Sequence, residues 1–373
     1  GVPKKWISYT PLDTQKIPKS ISDTLVNPLM IIALTRHGQK EIEGLGYECL
    51  YAPHGVDTNV FCPDEAKRQE GRKNLGWEDN FIIGSVGVNY ADDRKNFVNL
   101  VMAFKKFHEK HSEARLFLSS NPTDTEGSGG LPLAIQNLGL DQLVKWPFPD
   151  LYYTGQVSDG NMANRYRQMD LFCMPTRGEG FGVPLIEAQA CGVPVVTTGA
   201  STGPELCPTQ YLIPVHDHEW EWFNKEWRPN VNSESIFEAM ERAYNDPNLK
   251  AVGKNGEAAM KSYDWDHVFE EYWKPILKEI EGLKTKVRTI PDYKKLYESF
   301  DGRIAMGDCA KWCNEKCNES EFPLLTGEKP SVRNILSRSY PVYPNREGQL
   351  VVHAHCPLRN WISKKFKQEA QNA

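Results

Sequence analysis

Long apolar runs are missing from the sequence, and no stretch approaches the roughly 20 residues that a helix needs to cross a bilayer. The first residues also lack the basic and then apolar pattern of a secretory signal peptide. A basic balance is missing as well, because 49 acidic residues outnumber 44 basic ones and give a formal charge of −5. These absences predict a protein with no transmembrane segment and no nucleic-acid partner.

Cysteine is sparse, with nine among 373 residues, too few and too scattered for a scaffold held by disulfides. Cys173 and Cys191 fall in segments that we predict to be core. Hydrophobic residues make up 40% of the chain and charged residues 25%, which is typical of a soluble globular protein. The length is sufficient for two domains. We therefore expect a two-domain protein in a reducing, cytoplasmic setting.

One dense motif stands out, RGEGFGVPLIE at residues 177–187. The apolar run before it, at 171–175, predicts a buried parallel strand. Glycines within the motif permit a sharp turn and a close approach of a ligand. Pro184 suits the first position of a helix, since it has no N–H to leave unpaired, and Gly192 is placed to end that helix. The order is therefore strand, glycine loop, helix and, at 193–197, a further strand.

This arrangement places loop amides at the N-terminus of a helix. Such an end carries unpaired N–H groups and a partial positive charge, and both suit a phosphate group. Glu179 lies in the loop and Glu187 on the first turns of the helix. Two acceptors that flank an anion site can bind the hydroxyls of a ribose and a sugar. An ordinary strand–helix turn with surface glutamates is the plainer alternative.

The two glutamates are separated by seven residues, surround Gly-Phe-Gly and are followed by EAQACGVPVV. This string resembles the donor-site signature of family 4 glycosyltransferases, which are retaining enzymes of the GT-B fold that use nucleotide-activated sugars. The resemblance implies that Glu187 holds the ribose and that Glu179 reaches the donor sugar as a catalytic residue. It also implies that the diphosphate meets the loop amides of Gly180, Phe181, Gly182 and Val183.

A second donor-binding segment follows the apolar strand at 81–89. Arg94 and Lys95 lie in the loop between that strand and a helix, where the family has an Arg-Lys pair that clamps the diphosphate. Contacts from such a pair would offset the negative charge of the leaving group. Asn96 is a good residue for capping the helix that follows. Many relatives have a further arginine just after the strand, where this chain has Gly87-Val88-Asn89, so that contact is expected to be absent.

The resemblance predicts an α/β fold of the GT-B type in four parts. Residues 1–60 would be a partial N-terminal Rossmann-like acceptor domain and hinge, and residues 61–262 the Rossmann-like donor domain. Residues 263–284 would be a helix that crosses back, kinked by Pro275. Because the chain begins in what resembles the middle of a domain, we expect most of the N-terminal domain to be absent. Residues 285–373 would be a Cys/His-containing extension.

Two other stretches offer alternatives. The segment at 216–229 holds three tryptophans, which can stack on sugar rings but more often pack in a core; we predict packing. Glu205 either caps a helix or approaches the site.

The extension contains a candidate metal site formed by Cys309, Cys313, Cys317 and Cys356. A structural zinc ion needs four ligands within bonding reach. However, residues eight apart on a continuous helix lie about 12 Å apart along its axis, which is too far for one ion. The helix must break, or only two of the first three cysteines bind. Iron–sulfur ligation, disulfides and unconnected thiols stay open.

The functional prediction is a retaining hexosyltransferase that uses a nucleoside-diphosphate sugar and a saccharide or other hydroxyl acceptor. No cofactor is required for catalysis if the basic pair stabilises the leaving group. The alternative is a non-catalytic nucleotide-sugar-binding or scaffold protein, which an absent N-terminal half would favour. A phosphorylase of the same fold would need a lysine bound to pyridoxal phosphate, and no sequence context supports one. The donor base, the sugar, the acceptor, the linkage and the oligomeric state stay open.

Overall fold

The structure is a computed structural model that describes residues 6–14, 17, 19–22, 24–25, 28–89, 93–121, 130–147, 157–222 and 226–285. The chain divides into two compact units, and the first comprises Gly1–Pro18, Leu29–Ile42 and Cys49–Ile276. Both parallel sheets and the candidate site belong to that first unit.

The chain begins with a small parallel sheet in which the strands follow their order in the sequence. Its strands are β1 (Ile7–Thr10), β2 (Met30–Ala33) and β3 (Leu50–Tyr51), and β2 lies in the middle. Helix α1 (Lys19–Ser22) follows β1 in the chain, and α2 (Arg36–Gly44) follows β2. All four residues of β2 are buried, as its continuous apolar run predicts.

The second sheet has six parallel strands in the order β6-β5-β4-β7-β8-β9. The chain therefore starts in the middle of the sheet, moves outward to one edge and then returns to build the other half. This is the strand order of a doubly wound, Rossmann-like domain, and it confirms the predicted α/β class. The strands are β4 (Phe81–Val86), β5 (Ala114–Ser119), β6 (Val144–Lys145), β7 (Leu171–Met174), β8 (Val195–Thr198) and β9 (Tyr211–Ile213).

Helices cover both faces of this sheet. Ile82 and Ile83 of β4 belong to separate core clusters, because successive side chains of a strand point to opposite faces. One face packs against α4 and α9, and the other packs against α6 and α7. The helices of this domain are α3 (Glu65–Leu75), α4 (Phe97–Lys110), α5 (Gly130–Asn137), α6 (Asp159–Arg167), α7 (Val183–Ala190), α8 (Gly203–Leu206), α9 (Ser233–Tyr244) and α10 (Leu249–Met260).

The segment between the two sheets pairs with the chain where it leaves the second domain. The Val56 amide donates to the Tyr263 carbonyl at 2.8 Å, and the Trp265 amide donates to the Val56 carbonyl at 3.2 Å. The Asp264 carboxylate also accepts a bond from the Thr58 hydroxyl at 2.5 Å. The entry and exit of the domain are therefore fixed to each other.

The helical segment after this pairing changes type along its length. A 3₁₀ turn (Lys261–Tyr263) is followed by α11 (Trp265–Val268), a π-helical turn (Phe269–Trp273) and α12 (Lys274–Thr285). Pro275, which we predicted to kink this helix, lies at the start of α12, directly after the π-helical turn. A proline ring crowds the carbonyl four residues earlier, and that carbonyl lies inside the wider turn. None of the described helices combines the length and apolar character needed to cross a membrane.

A two-stranded antiparallel hairpin lies between β9 and α9 and consists of β10 (His218–Glu221) and β11 (Glu226–Pro229). The prediction that its three tryptophans pack in the core is wrong. Trp220, Trp222 and Trp227 are 36%, 81% and 50% exposed. The hairpin forms a separate sheet, so one of its faces does not contribute to the domain core.

Candidate functional site

The candidate site lies where the order of the second sheet reverses, between β4 and β7. These strands are adjacent in the sheet, and the loops that follow them meet although they are far apart in sequence: Lys95 and Glu179, which are in contact, are 84 residues apart. The loop after β4 carries Arg94 and Lys95, and the loop after β7 carries Glu179. In open α/β sheets, ligands bind at the carboxyl ends of the strands at this reversal point.

Glu179 forms the centre of the site and accepts three hydrogen bonds at Oε1. Arg94 Nη1 and Thr176 Oγ1 each donate from 3.1 Å, and the third donor is Lys95 Nζ. Glu179 and Lys95 are only 6% and 9% exposed. The structure thus brings the predicted basic pair together with the predicted catalytic glutamate in one buried ionic cluster.

The backbone of the two loops is also joined. Arg94 Nη1 donates to the Gly178 carbonyl at 2.6 Å, and the Arg177 amide donates to the Arg94 carbonyl at 2.8 Å. Asn96 Nδ2 donates to the Pro175 carbonyl at 3.2 Å, so this side chain spans the loops and does not bond the helix amides as we predicted. Its backbone is left-handed, with φ of 58°, whereas a capping residue normally has an extended backbone.

Two of the motif glycines are required by a close approach of the chain after β1. A Cβ atom on Gly178 would lie 2.8 Å from the Asp13 carbonyl oxygen. A Cβ atom on Gly180 would lie 2.6 Å from Pro11 Cβ. The loop that carries Glu179 therefore packs directly on the carboxyl end of β1, and the small sheet forms one side of the site.

Gly182 precedes helix α7 with a φ of 98°, a left-handed conformation that strongly favours glycine. Pro184 lies in the first turn of the helix, as predicted. The amide groups of Gly180, Phe181, Gly182 and Val183 have no acceptor in the part of the chain that the structure describes. The Phe181 side chain is buried, and its ring centroid lies 5.8 Å from that of His54.

Glu187 lies on α7 and accepts a hydrogen bond from the Tyr166 hydroxyl at 2.7 Å. Burial raises the pKa of Glu187 to about 7, and the nearby Asp159 adds to that rise. The hydrogen bond from Tyr166 favours the ionised form and opposes the rise in pKa. This carboxyl group therefore changes charge close to neutral pH.

Two contacts of the site were not predicted from the sequence, those of Thr176 and the ion pair of Arg177. Thr176 Oγ1 bonds both Glu179 and the Gly178 carbonyl, and its position directly after β7 was the available signal. Arg177 forms an ion pair with Glu219 of the hairpin, which no local pattern indicates.

Glu205 caps helix α2, one of the two alternatives that the sequence left open. Its carboxylate accepts from the Arg36 amide at 2.8 Å and from the Tyr51 hydroxyl at 3.2 Å.

The predicted metal ligands Cys309, Cys313, Cys317 and Cys356 lie outside the described residues. Five other cysteines are described, and all are free thiols: Cys49, Cys62, Cys173, Cys191 and Cys207.

A family model matches the part of the chain that contains this geometry. Residues 80–225 match the family described as Glycosyl transferases group 1, and this range includes both loops of the site. This part of the chain is therefore similar to group 1 glycosyltransferases. The expected family resemblance is confirmed by this match and by the relatives described next.

Curated relatives of this chain include mannosylfructose-phosphate synthase of Agrobacterium fabrum, which is 32% identical over 39% of this chain and 31% of the relative. The capsular polysaccharide biosynthesis glycosyltransferase CapM of Staphylococcus aureus is 27% identical over 70% of this chain and 62% of the relative. Phosphatidyl-myo-inositol mannosyltransferase of Mycobacterium tuberculosis is 24% identical over 74% and 65%. The chain thus spans between about a third and two thirds of the length of these relatives.

Solved structures show that the fold is of the GT-B type. Sucrose-phosphate synthase from Thermosynechococcus elongatus aligns with a TM-score of 0.56 and 20% identity over 71% of this chain and 62% of that one. HepE from Anabaena, in complex with UDP-glucose, aligns with a TM-score of 0.56 and 18% identity over 73% and 72%.

Proposed function

We propose that this chain is a retaining hexosyltransferase that moves a hexose from a nucleoside-diphosphate sugar to a saccharide or other hydroxyl acceptor. The observation that carries the proposal is the meeting of Arg94, Lys95 and Glu179 at the reversal point of the sheet, beside the N-terminus of α7. Two cations and unpaired amides suit a diphosphate. Glu187 lies on the same helix, within reach of the nucleoside.

The relatives support a nucleotide sugar as the donor. The HepE structure contains UDP-glucose, and related curated proteins are named mannosyltransferases, some of them GDP-mannose-dependent. A hexose is therefore the sugar class that we propose, with either uridine or guanosine as the nucleoside.

In the proposed reaction, the bond between the sugar anomeric carbon and the β-phosphate oxygen breaks, and the diphosphate leaves with the bonding electron pair. The oxygen of the acceptor hydroxyl forms the new bond to the anomeric carbon, and its proton passes to an oxygen of the departing diphosphate. Arg94, Lys95 and the amides of the α7 N-terminus stabilise the charge on the diphosphate, so catalysis rests on positioning and electrostatics. Glu179 leaves its ion pairs with the cations and turns to the sugar once the diphosphate occupies them.

The five free thiols of the described region favour a reducing compartment, and we propose the cytoplasm. Three of these thiols, at Cys173, Cys191 and Cys207, have a pKa raised by burial, so they are poor nucleophiles and fill space in the core.

The test is a calorimetric titration of the chain with UDP, GDP and ADP, together with an assay for hydrolysis or transfer of the matching donor sugar. We expect one nucleotide to bind and Glu187→Ala to weaken that binding at least about tenfold. Glu238→Ala, on the exposed side of α9, serves as the matched control and should bind as the unaltered chain does. Binding without any turnover would contradict the enzymatic proposal, and absence of binding would contradict the donor site.

A further inference from the structure

The hairpin of β10 and β11 has two chemically different faces. Glu226 and Arg228 lie on the inner face, are 6% and 3% exposed, and form an ion pair at 2.5 Å. Trp220 and Trp227 lie directly opposite each other on the outer face. Trp222 follows the end of β10 and contacts Trp220, with ring centroids 6.2 Å apart.

Packing within the hairpin explains why two of these three tryptophans are present. Trp220 and Trp227 pack edge to face at 5.4 Å, and such cross-strand aromatic pairs stabilise isolated hairpins. Trp222 is 81% exposed and is not part of this cross-strand pair. An indole exposed to this extent is costly in water and adds little to packing, so its presence points to a ligand.

The hairpin is attached to the catalytic loop. Arg177, two residues before Glu179, forms an ion pair with Glu219 on the hairpin. The buried Nε of Arg177 has no hydrogen-bond partner in the described part of the chain, which leaves a donor available beside the loop. On the other side, burial raises the pKa of Glu226, the Arg228 guanidinium opposes that rise, and the negative charge of Asp13, after β1, adds to it.

The charged side chains of the hairpin lie away from the tryptophans. Glu219 and Glu221 stand opposite Arg228 and Glu226 in the ladder, so they share the inner face with that buried ion pair. The outer face of the two strands carries no Asp, Glu, Lys or Arg, and it therefore does not attract an anionic membrane or an anionic polymer. A neutral saccharide fits this face, because the C–H faces of its rings stack on indoles.

We infer that the outer face of the hairpin, formed by Trp220, Trp222 and Trp227, binds a neutral saccharide chain and delivers it as the acceptor to the Glu179 loop. This inference names the acceptor class and therefore rests on the proposed transferase function.

The experiment follows tryptophan fluorescence of the full chain during titration with neutral linear hexasaccharides of glucose, mannose, galactose and N-acetylglucosamine. We expect one of these probes to quench and shift the emission. Trp222→Ala should weaken that binding at least about tenfold while the nucleotide affinity stays within about twofold. Trp222→Phe should recover part of the affinity, because it keeps an aromatic face. Leu133→Ala is the matched control, because Leu133 is an exposed apolar residue on α5. It should change the affinity for neither the hexasaccharide nor the nucleotide.

The possible results distinguish failure of the saccharide site from failure of the proposed nucleotide-sugar site. Loss of nucleotide binding with saccharide binding intact would overturn the donor site and support the hairpin as a carbohydrate site. No response to any hexasaccharide, with nucleotide binding intact, would overturn the inference alone. Trp222-dependent binding to phosphatidylcholine vesicles in place of saccharides would also overturn it, and so would a change in oligomeric state caused by Trp222→Ala.

Discussion

At the scale of single residues, the Glu179 carboxylate lies between the cations of Lys95 and Arg94 and pairs with both. In the proposed function, a diphosphate oxygen would take that place. Removing one member of a buried ionic cluster is costly, because it leaves the remaining charge desolvated and unpaired.

Glu179→Gln should therefore lower the free energy of unfolding by about 1–3 kcal/mol, since Lys95 loses its buried counter-charge. Added pyrophosphate or nucleoside diphosphate should reduce the difference in free energy of unfolding between this variant and the unaltered chain, because the phosphate replaces the missing negative charge. Denaturant unfolding with and without pyrophosphate measures both effects. Glu109→Gln, which breaks an exposed ion pair with Lys105, should cause no measurable change. A Glu179→Gln chain as stable as the original would contradict the prediction.

The raised pKa of Glu187 predicts that the stability of the protein depends on pH. Its folded pKa of about 7 lies above its ordinary value of 4.5, so the folded state binds more protons in that window. Its contribution to stability is present below pH 4.5 and is lost as the pH rises through 7. Relative to the original chain, Glu187→Gln should gain stability as the pH rises through this window, as thermal unfolding at several pH values would show.

Ribose binding should have the opposite pH dependence in the original chain, because the ionised carboxylate accepts hydrogen bonds from the ribose hydroxyls. Nucleotide affinity should rise with pH by at most about tenfold per unit and level off above pH 7. Glu187→Gln should lack this component and keep only the titration of the nucleotide itself, which both chains share. Equal pH profiles for the two proteins would show that Glu187 does not meet the ribose.

At the scale of elements, the turn between β7 and α7 depends on one backbone conformation. Gly182 has a φ of 98°, and a Cβ atom there would lie 2.9 Å from Leu185 Cδ1. Leu185 is fully buried, so its side chain has little room to move.

Gly182→Ala should cost about 2–3 kcal/mol of stability, through backbone strain and collision together, and it should weaken nucleotide binding by tilting the amides at the start of α7. Gly76→Ala is a suitable comparison, because Gly76 is also left-handed, with φ of 64°, but has no atom within 4 Å of the new Cβ. That variant should lose only about 1 kcal/mol and keep full nucleotide affinity. Thermal unfolding and calorimetry measure the two effects, and equal losses in the two variants would argue against a crowded turn at Gly182.

The turn between β7 and α7 shows which features can be predicted from neighbouring residues in the sequence. The apolar run, the glycines and Pro184 predicted strand, loop and helix correctly, because each signal acts within a few residues of its cause. The resemblance placed Arg94, Lys95 and Glu179 at one donor site, but the ion pairs among them join loops far apart in the chain and were not predicted. The predictions that Trp222 packs in the core and that the Asn96 side chain bonds the helix amides were wrong. Both outcomes depend on parts of the chain that are distant in sequence, such as Pro175 and Val231, which Asn96 contacts.

At the scale of the molecule, Glu205 joins the two parallel sheets. It lies on α8 of the second domain and caps the N-terminus of α2 beside the first sheet. Tyr51, at the end of β3, donates to the same carboxylate, while the Arg36 guanidinium lies 3.7 Å from the centre of the Tyr51 ring. Burial raises the pKa of Glu205, and these donors counteract the rise.

Glu205→Ala should remove the cap and cost about 1–3 kcal/mol, because the amides of Arg36 and His37 and the Tyr51 hydroxyl lose their acceptor. Amide hydrogen exchange should accelerate at residues 36 and 37 and stay unchanged in β4. Glu205→Gln keeps an acceptor and should lose less. Uniform acceleration across both sheets would contradict a local joint.

The pairing of Val56 with Tyr263 and Trp265 has a consequence for the history of the chain. Because the second domain begins and ends at adjacent backbone positions, residues 57–262 are topologically a cassette whose two ends meet. Such a segment can be excised, transplanted between hosts or circularly permuted without stretching a connection. Recombination can therefore exchange the partner sheet while residues 57–262 stay intact.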